Sequence, residues 1–226
     1  MHNKGVYIII PAKDEGNRIA GVLHQILNAG YSNIIVVNDG SKDNTTDVAK
    51  KFGVCIVNHL INLGAGAATQ TGIEYALQKN AEIIVTIDAD HQHMPADIKS
   101  LIDLLINKQV DIVIGSRFLK KTNKIPATRI FYNKIANVIT YFVTGVRVTD
   151  SQSGMKAFTA DFAKKSKLNF NGFEFSVEMI RNIKVNNAKF LESPIDVIYT
   201  KDTLSKGQNL LTGIKMLRKI LWMNRW

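Results

Sequence analysis

Two aspartates one residue apart, Asp88 and Asp90, follow the apolar run of residues 81–87, with His91, Gln92 and His93 directly behind them. Like charges this close at the mouth of a buried strand cost free energy unless something positive lies between them. A hard divalent cation, Mg2+ or Mn2+, meets that need, because it prefers carboxylate oxygen and keeps positions open for phosphate. Asp90 is the best direct ligand. Asp88 would contact the metal or a ribose, and Gln92 offers a neutral oxygen. Zinc held through His91 and His93 stays open as well, although no third spaced ligand is evident. So does a plain solvated turn with no ion at all.

Chemistry of this kind needs strands to carry it. Residues 6–10, 34–37, 54–57, 83–87 and 111–114 are β-branched and continuously apolar, as expected of strands covered on both faces. Between the first two, Ile19, Val22, Leu23, Ile26 and Leu27 make a helical stripe that stops at Gly30. Residues 45–52, 67–79 and 95–107 supply further crossover helices, the last with Pro95 in its first turn. The order is βαβα, which predicts an α/β fold with a mostly parallel central sheet and helices on both faces. Ligands of such sheets gather beyond the carboxyl ends of the strands. Those ends read "PAKDE", "NDGS", "NLGAGAA", "DADHQH" and "GSRF". Five acid-, glycine- or arginine-bearing ends together predict a ligand crevice.

After Gly115 the pattern changes. Phe131, Ile135, Val138, Ile139 and Phe142 form a helical stripe in a basic setting. A short strand near 155–158, a helix over about 175–186 and a strand near 195–199 follow. The last segment carries Leu210, Leu211, Ile214, Leu217 and Leu221 on one helical face beside Lys215, Arg218 and Lys219, and fits an interfacial membrane helix or, equally well, an ordinary helix docked on the domain.

The chain has 226 residues, 46% hydrophobic and 21% charged, which suits one large domain. Its +10 charge is uneven: residues 116–149 hold seven bases and no acid, and residues 203–226 hold five and none. A localised basic surface points to an anionic partner such as phosphate, nucleic acid or an acidic membrane. Cys55 is the single cysteine and sits in an apolar run, consistent with a core thiol in a reducing cytoplasm. No signal peptide is recognisable, and no stretch reaches the roughly 18 apolar residues of a spanning helix. The protein is expected in the cytoplasm, either soluble or resting on the cytoplasmic face of a membrane without crossing it.

In order along the chain, "IIIPAKDE", "VVNDGSKDNT", "NLGAGAATQTGI", "DADHQHMP", "GSRF", "DSQSGMKAF", "GFEFSVEMI" and "PIDVIYTKDTLSK" resemble the family 2 glycosyltransferases of GT-A fold. The branch most similar is that of dolichyl-phosphate mannose synthases and bacterial polyprenyl-phosphate glycosyltransferases. The resemblance covers nearly the whole chain as a single domain, 1–226. It divides into a nucleotide-sugar half at 1–115, an acceptor half at 116–202 and a basic amphipathic segment at 203–226. It implies donor binding at Pro11, Ala12, Glu15 and Asp39, with metal at Asp88, Asp90 and Gln92. Gly64, Asp88 and Lys206 complete the expected donor set. Ala65 stands where the family usually has lysine or a similar polar residue, and "PAKDE" replaces the commoner Pro-Ala-Tyr-Asn-Glu. The C-terminal transmembrane helices of many members have no counterpart.

Family membership implies inversion at the anomeric carbon, with Asp90, Arg117 and Asp150 closest to the chemistry. A cation such as Lys206 would help the metal stabilise the departing diphosphate. A lipid monophosphate acceptor is already mostly ionised, its second pKa being about 6. A sugar hydroxyl would need a general base, for which Asp150 is the candidate. Arg117 and Arg129 suit an acceptor phosphate, because guanidinium matches phosphate in a bidentate fork, and Asn133 lies one turn beyond Arg129. Glu178 is expected inside the fold. The partners expected are a nucleotide-sugar donor, a polyprenyl phosphate acceptor, an anionic membrane surface, and a second copy or a membrane protein. The rivals are a hydroxyl-directed transferase of the same fold and a basic nucleic-acid-binding module. The latter would leave the five strand ends idle, so no nucleic acid is expected.

Overall fold

The computed structural model describes residues 5–199. Seven strands form one sheet: β1 (Val6–Ala12), β2 (Ile34–Asp39), β3 (Cys55–His59), β4 (Ile83–Thr86), β5 (Ile112–Ser116), β6 (Lys156–Thr159) and β7 (Phe190–Pro194). Their order across the sheet is β3-β2-β1-β4-β6-β5-β7. All neighbours run parallel except β6, which is antiparallel to both β4 and β5. The helices are α1 (Ile19–Asn28), α2 (Thr45–Lys50), α3 (Ala65–Gln78), α4 (Ile98–Asn107), α5 (Ala127–Thr144), α6 (Ala160–Lys165) and α7 (Phe175–Val185). A single 3-10 turn, Pro95–Asp97, leads into α4.

Two cores account for the continuous apolar strands. Ile8 and Ile10 of β1 face a layer with Val22, Leu23 and Ile26 of α1 and Leu101 of α4. Ile9, between them, faces the opposite layer with Ala68 and Ile73 of α3, Phe162 of α6 and Ile180 of α7. Period-2 alternation thus places apolar groups on both sides of the sheet. Cys55 lies on the edge strand β3 and is half-buried against the second core.

One element differs from the sequence expectation. The strand expected at 195–199 lies earlier, at Phe190–Pro194, paired with β5 from Ile112↔Phe190 to Ser116↔Pro194. Beyond Pro194 the amides go to scattered acceptors: Ile195 to the Ser116 carbonyl, Asp196 to Asp97, Val197 to Asn123 and Ile198 to the Gln92 carbonyl. A single bridge, His93↔Val197, is the only ladder contact there among the described residues. Helix α5 turns much of its apolar stripe outward. Its buried residues are Asn133, Thr140 and Thr144. Phe131 (61% exposed) and Phe142 (79%) face solvent, joined by Tyr132, Ile135, Val138 and Tyr141. Among the described residues no helix is long and apolar enough to cross a membrane.

Candidate active site

Because β6 runs antiparallel between β4 and β5, the loop entering it arrives at the edge where β4 and β5 end. Three chain segments meet there: Asp88–Gln92 after β4, Arg117 after β5, and Asp150–Met155 before β6. Asp150 is fully buried. Its Oδ2 accepts from the Arg117 backbone N–H at 3.1 Å and from Nε at 2.7 Å, and its Oδ1 accepts from Nη2 at 2.7 Å. Burial would lower the guanidinium pKa, but the Asp150 charge and hydrogen bonds raise it above its ordinary value. Gly154 makes the meeting sterically possible, since a Cβ there would lie 2.1 Å from Asp88 Oδ2. Thr86 on β4 ties the loop down by donating to the Gly154 carbonyl at 2.9 Å.

Lys156 lies beneath these groups, 1% exposed, and donates to the Ser153 carbonyl. Burial pulls its ammonium down to about 8, while Asp88 and Asp150 oppose the fall. It is absent from the site expected on sequence, although a lysine inside the apolar strand "MKAF" was the available signal.

The paired carboxylates are not equivalent. Burial by itself would raise Asp88; His93, Lys156 and Arg117 outweigh it and hold the carboxyl below its ordinary range. Asp90 moves the other way, pushed up by burial and then by the Asp88 charge, with Glu15 adding to the repulsion. Asp90 therefore carries the electrostatic cost of its neighbouring carboxylates. Gln92 answers Asp90 twice, its backbone N–H donating at 3.0 Å and its side-chain Nε2 at 2.6 Å. With the amide nitrogen so engaged, Gln92 keeps its oxygen as a donor atom. The resulting all-oxygen set, with unrelieved negative charge at Asp90, fits Mg2+ or Mn2+. It does not fit zinc. His91 turns to Gln25 of α1 at 2.8 Å, whereas His93 is buried and stands 3.5 Å from Asp88. Among the described residues, no three His, Cys, Asp or Glu side chains gather as a cage.

On the other side of the crevice, Pro11 and Ala12 close β1 opposite Val37 and Asn38. Glu15 follows, its carboxylate accepting from Arg18 at 2.7 Å and its backbone N–H donating to Thr45 at 2.8 Å. Asp39, at the end of β2, is buried and accepts the backbone N–H groups of Leu63 and Gly64, both at 2.8 Å. His59 at the end of β3 contacts the same carboxylate at 2.8 Å. The expected donor residues Asp39 and Gly64 are thus bonded to each other. Gly64 has φ +106, and a Cβ there would lie 2.3 Å from the Asn171 carbonyl. That carbonyl accepts from Gly66 at 2.7 Å, so a protein oxygen already caps the start of α3. Glu178, buried as expected, holds this loop through the Asn169 and Phe170 N–H groups at 2.9 and 3.0 Å.

The remaining expected residues are spread out. Arg129 is half-buried in the first turn of α5. Asn133 is buried and donates to the Thr149 carbonyl at 3.1 Å, so it holds the Asp150 loop where an acceptor contact was expected. Lys206 and the segment 203–226 lie outside the described residues.

Residues 7–166 match the family described as "Glycosyl transferase family 2". The UDP-N-acetylglucosamine–dolichyl-phosphate N-acetylglucosaminyltransferase of Methanococcus voltae is 35% identical over 244 residues, covering 99% of this chain and 97% of that protein. The polyprenol monophosphomannose synthase of Mycolicibacterium smegmatis is 26% identical over 217 residues, covering 90% and 82%. Among solved structures, glucosyl-3-phosphoglycerate synthase from Mycobacterium tuberculosis, in complex with Mn2+, uridine-diphosphate and glucosyl-3-phosphoglycerate, superposes with a TM-score of 0.72. It covers 96% of this chain and 77% of that one at 17% identity, a likeness of fold. Matched over most of its length by the family and by full-length relatives, the chain belongs to glycosyltransferase family 2 and is an enzyme of GT-A fold.

Proposed function

We propose that this glycosyltransferase moves a sugar, with inversion, from a UDP- or GDP-linked donor to the phosphate of a polyprenyl or dolichyl carrier at a membrane surface. The observation that carries this reading is the state of Asp150. It is fully buried and bonded to Arg117 through both oxygens, so it is no free base for a sugar hydroxyl. A phosphate monoester needs no base, because it is mostly ionised near neutral pH. The carriers in the names of the two relatives support the same acceptor.

In this scheme a phosphate oxygen attacks the anomeric carbon as the bond to the nucleoside diphosphate breaks, and the electron pair leaves with the diphosphate. Mg2+ or Mn2+ held by Asp88, Asp90 and Gln92 would stabilise that charge as a Lewis acid. Pro11, Ala12, Glu15, Asp39 and Gly64 position the nucleotide, and Lys206 adds a cation toward the diphosphate. Arg117 presents its remaining N–H groups to the acceptor phosphate, with Arg129 as a second guanidinium. The outward apolar face of α5, beside Arg129, Lys134 and Arg147, supports docking on anionic lipid.

Labelled UDP- and GDP-sugars offered with Mn2+ to polyprenyl phosphate and, separately, to free saccharides test the proposal. Product is expected on the lipid phosphate with one of the two nucleotides. Product on saccharide hydroxyls in place of lipid would overturn it.

A further inference from the structure

Helix α5 meets the loop carrying Asp150 through two asparagines one turn apart. Asn133 makes one bond, to the Thr149 carbonyl at 3.1 Å. Asn137 makes two. Its Nδ2 donates to the same carbonyl at 2.7 Å, and its Oδ1 accepts the Ser151 N–H at 2.9 Å. These bonds bracket Asp150, one on the residue before it and one on the residue after. A side-chain amide bonded to flanking C=O and N–H groups acts as a short strand partner and pins the peptide units on both sides.

The chain of contacts continues. Asp150 grips Arg117 through its backbone N–H, Nε and Nη2. An arginine has five side-chain N–H donors in a rigid fork, so where Asp150 stands decides where the unused donors point. From the far side Glu192 of β7 accepts the Thr149 N–H and hydroxyl, both at 2.8 Å, and Thr149 lies 2.6 Å from Ser116. The loop is clamped between β7 and α5, and Asn137 is the α5 contact that reaches both flanks of Asp150.

We propose that Asn137 is a positioning residue for Arg117, acting through Asp150, and so sets where the acceptor phosphate is held. The inference rests on the reading of Arg117 as the acceptor-phosphate ligand. Removing Asn137 should act mainly on use of the lipid acceptor and leave the nucleotide residues Pro11, Ala12, Glu15 and Asp39, on the other side of the crevice, as they were.

Steady-state transfer to polyprenyl phosphate tests this with Asn137→Ala, Arg117→Lys, Arg117→Ala and the double variant Asn137→Ala/Arg117→Lys. Asn137→Ala is expected to lower kcat/KM for the lipid about tenfold, mostly through KM, with the donor KM unchanged. In the Arg117→Lys background the same change should cost clearly less, because the geometry it protects is already lost. Wild-type acceptor kinetics in folded Asn137→Ala, or an equal loss in both backgrounds, would overturn the inference while Arg117 keeps its role. Unchanged acceptor kinetics in Arg117→Ala would instead overturn the reading of Arg117, and this inference with it. Should Asn137→Ala fail to fold, Asn137→Asp keeps the acceptor for Ser151 and removes the donor to Thr149. A raised acceptor KM supports the proposal there, and a wild-type value ends it.

Discussion

Helix α4 lies on the sheet and α5 packs on α7, and their apolar faces point opposite ways. In α4 the apolar residues Ile98, Leu101, Ile102 and Leu105 are buried, and the polar ones face water. In α5 the buried residues are Asn133, Thr140 and Thr144, while Phe131, Ile135, Val138 and Phe142 are exposed. Hydrophobic periodicity reveals a face but not what covers it. The α4 stripe meets β5 and its neighbours. Among the described residues the exposed α5 stripe meets no other layer; the helix is held by packing on α7, with Val143 against Val177, and by asparagine contacts to the 149–151 loop. In the half proposed for the donor, α4 turns its apolar groups inward, although Leu60 and Ile61 are exposed; in the half proposed for the acceptor, α5 turns apolar and basic groups outward.

The strongest way to break that division is to injure one half and look for damage in the other. Asp90→Asn removes the carboxylate that bears the repulsion. It should lower transfer by roughly two to three orders of magnitude, the scale of losing one charge-stabilising group. Binding to anionic vesicles should be untouched. Vesicle sedimentation beside activity assays checks this; a folded variant with full turnover ends the metal assignment, and lost sedimentation ends the separation of the halves.

A matched pair sharpens the contrast. Leu101→Ala in α4 should cost about 2–5 kcal/mol of stability, as large-to-small changes in a packed core do. Phe142→Ser in α5 should cost under about 0.5 kcal/mol, as a surface change does, yet weaken vesicle binding. Denaturant melts and sedimentation of both variants decide it. A large stability loss in Phe142→Ser would show that its face is covered within the protein.

A pH-dependent effect sits on the seam between the halves. Burial holds Lys156 at about 8, below its ordinary 10.5. The folded value lies below the unfolded one, so the buried charge costs stability below about pH 8, and the cost fades as pH climbs toward the unfolded value. Across that window the wild type should gain up to about 3 kcal/mol relative to Lys156→Met. Parallel stability–pH curves for the two proteins would refute this.

Much of the donor half was legible in the sequence because β1, β2 and β4 are continuous β-branched runs, and such runs have few homes other than a covered parallel sheet. Asp88 and Asp90 were legible for the same reason: they interrupt such a run at its end. The acceptor half hid more. Residues 195–199 look more strand-like than "FLESP", yet the latter pairs with β5, because register and Pro194 outweigh composition. Nothing local announces that Asp150 joins Arg117 across 33 residues, since that pairing exists through the antiparallel path of β6. Asn137 reads as a polar interruption of an apolar helix, and only the loop beneath it explains why it is there.

That antiparallel strand has a further consequence for a chain made from its amino end. The sheet neighbours of β5, namely β6 and β7, both come after it in sequence. Any product that stalls or is cleaved before Lys156 therefore carries "IVIGS" as an orphan strand, and leaves β4 with a bare edge beside it. Such segments invite pairing between molecules. Insertion of four residues, Lys156–Thr159, closes the β4 edge and one edge of β5, and draws the Asp150 loop against Arg117. The same strand thus shields the β4 edge and brings the Asp150 loop to Arg117.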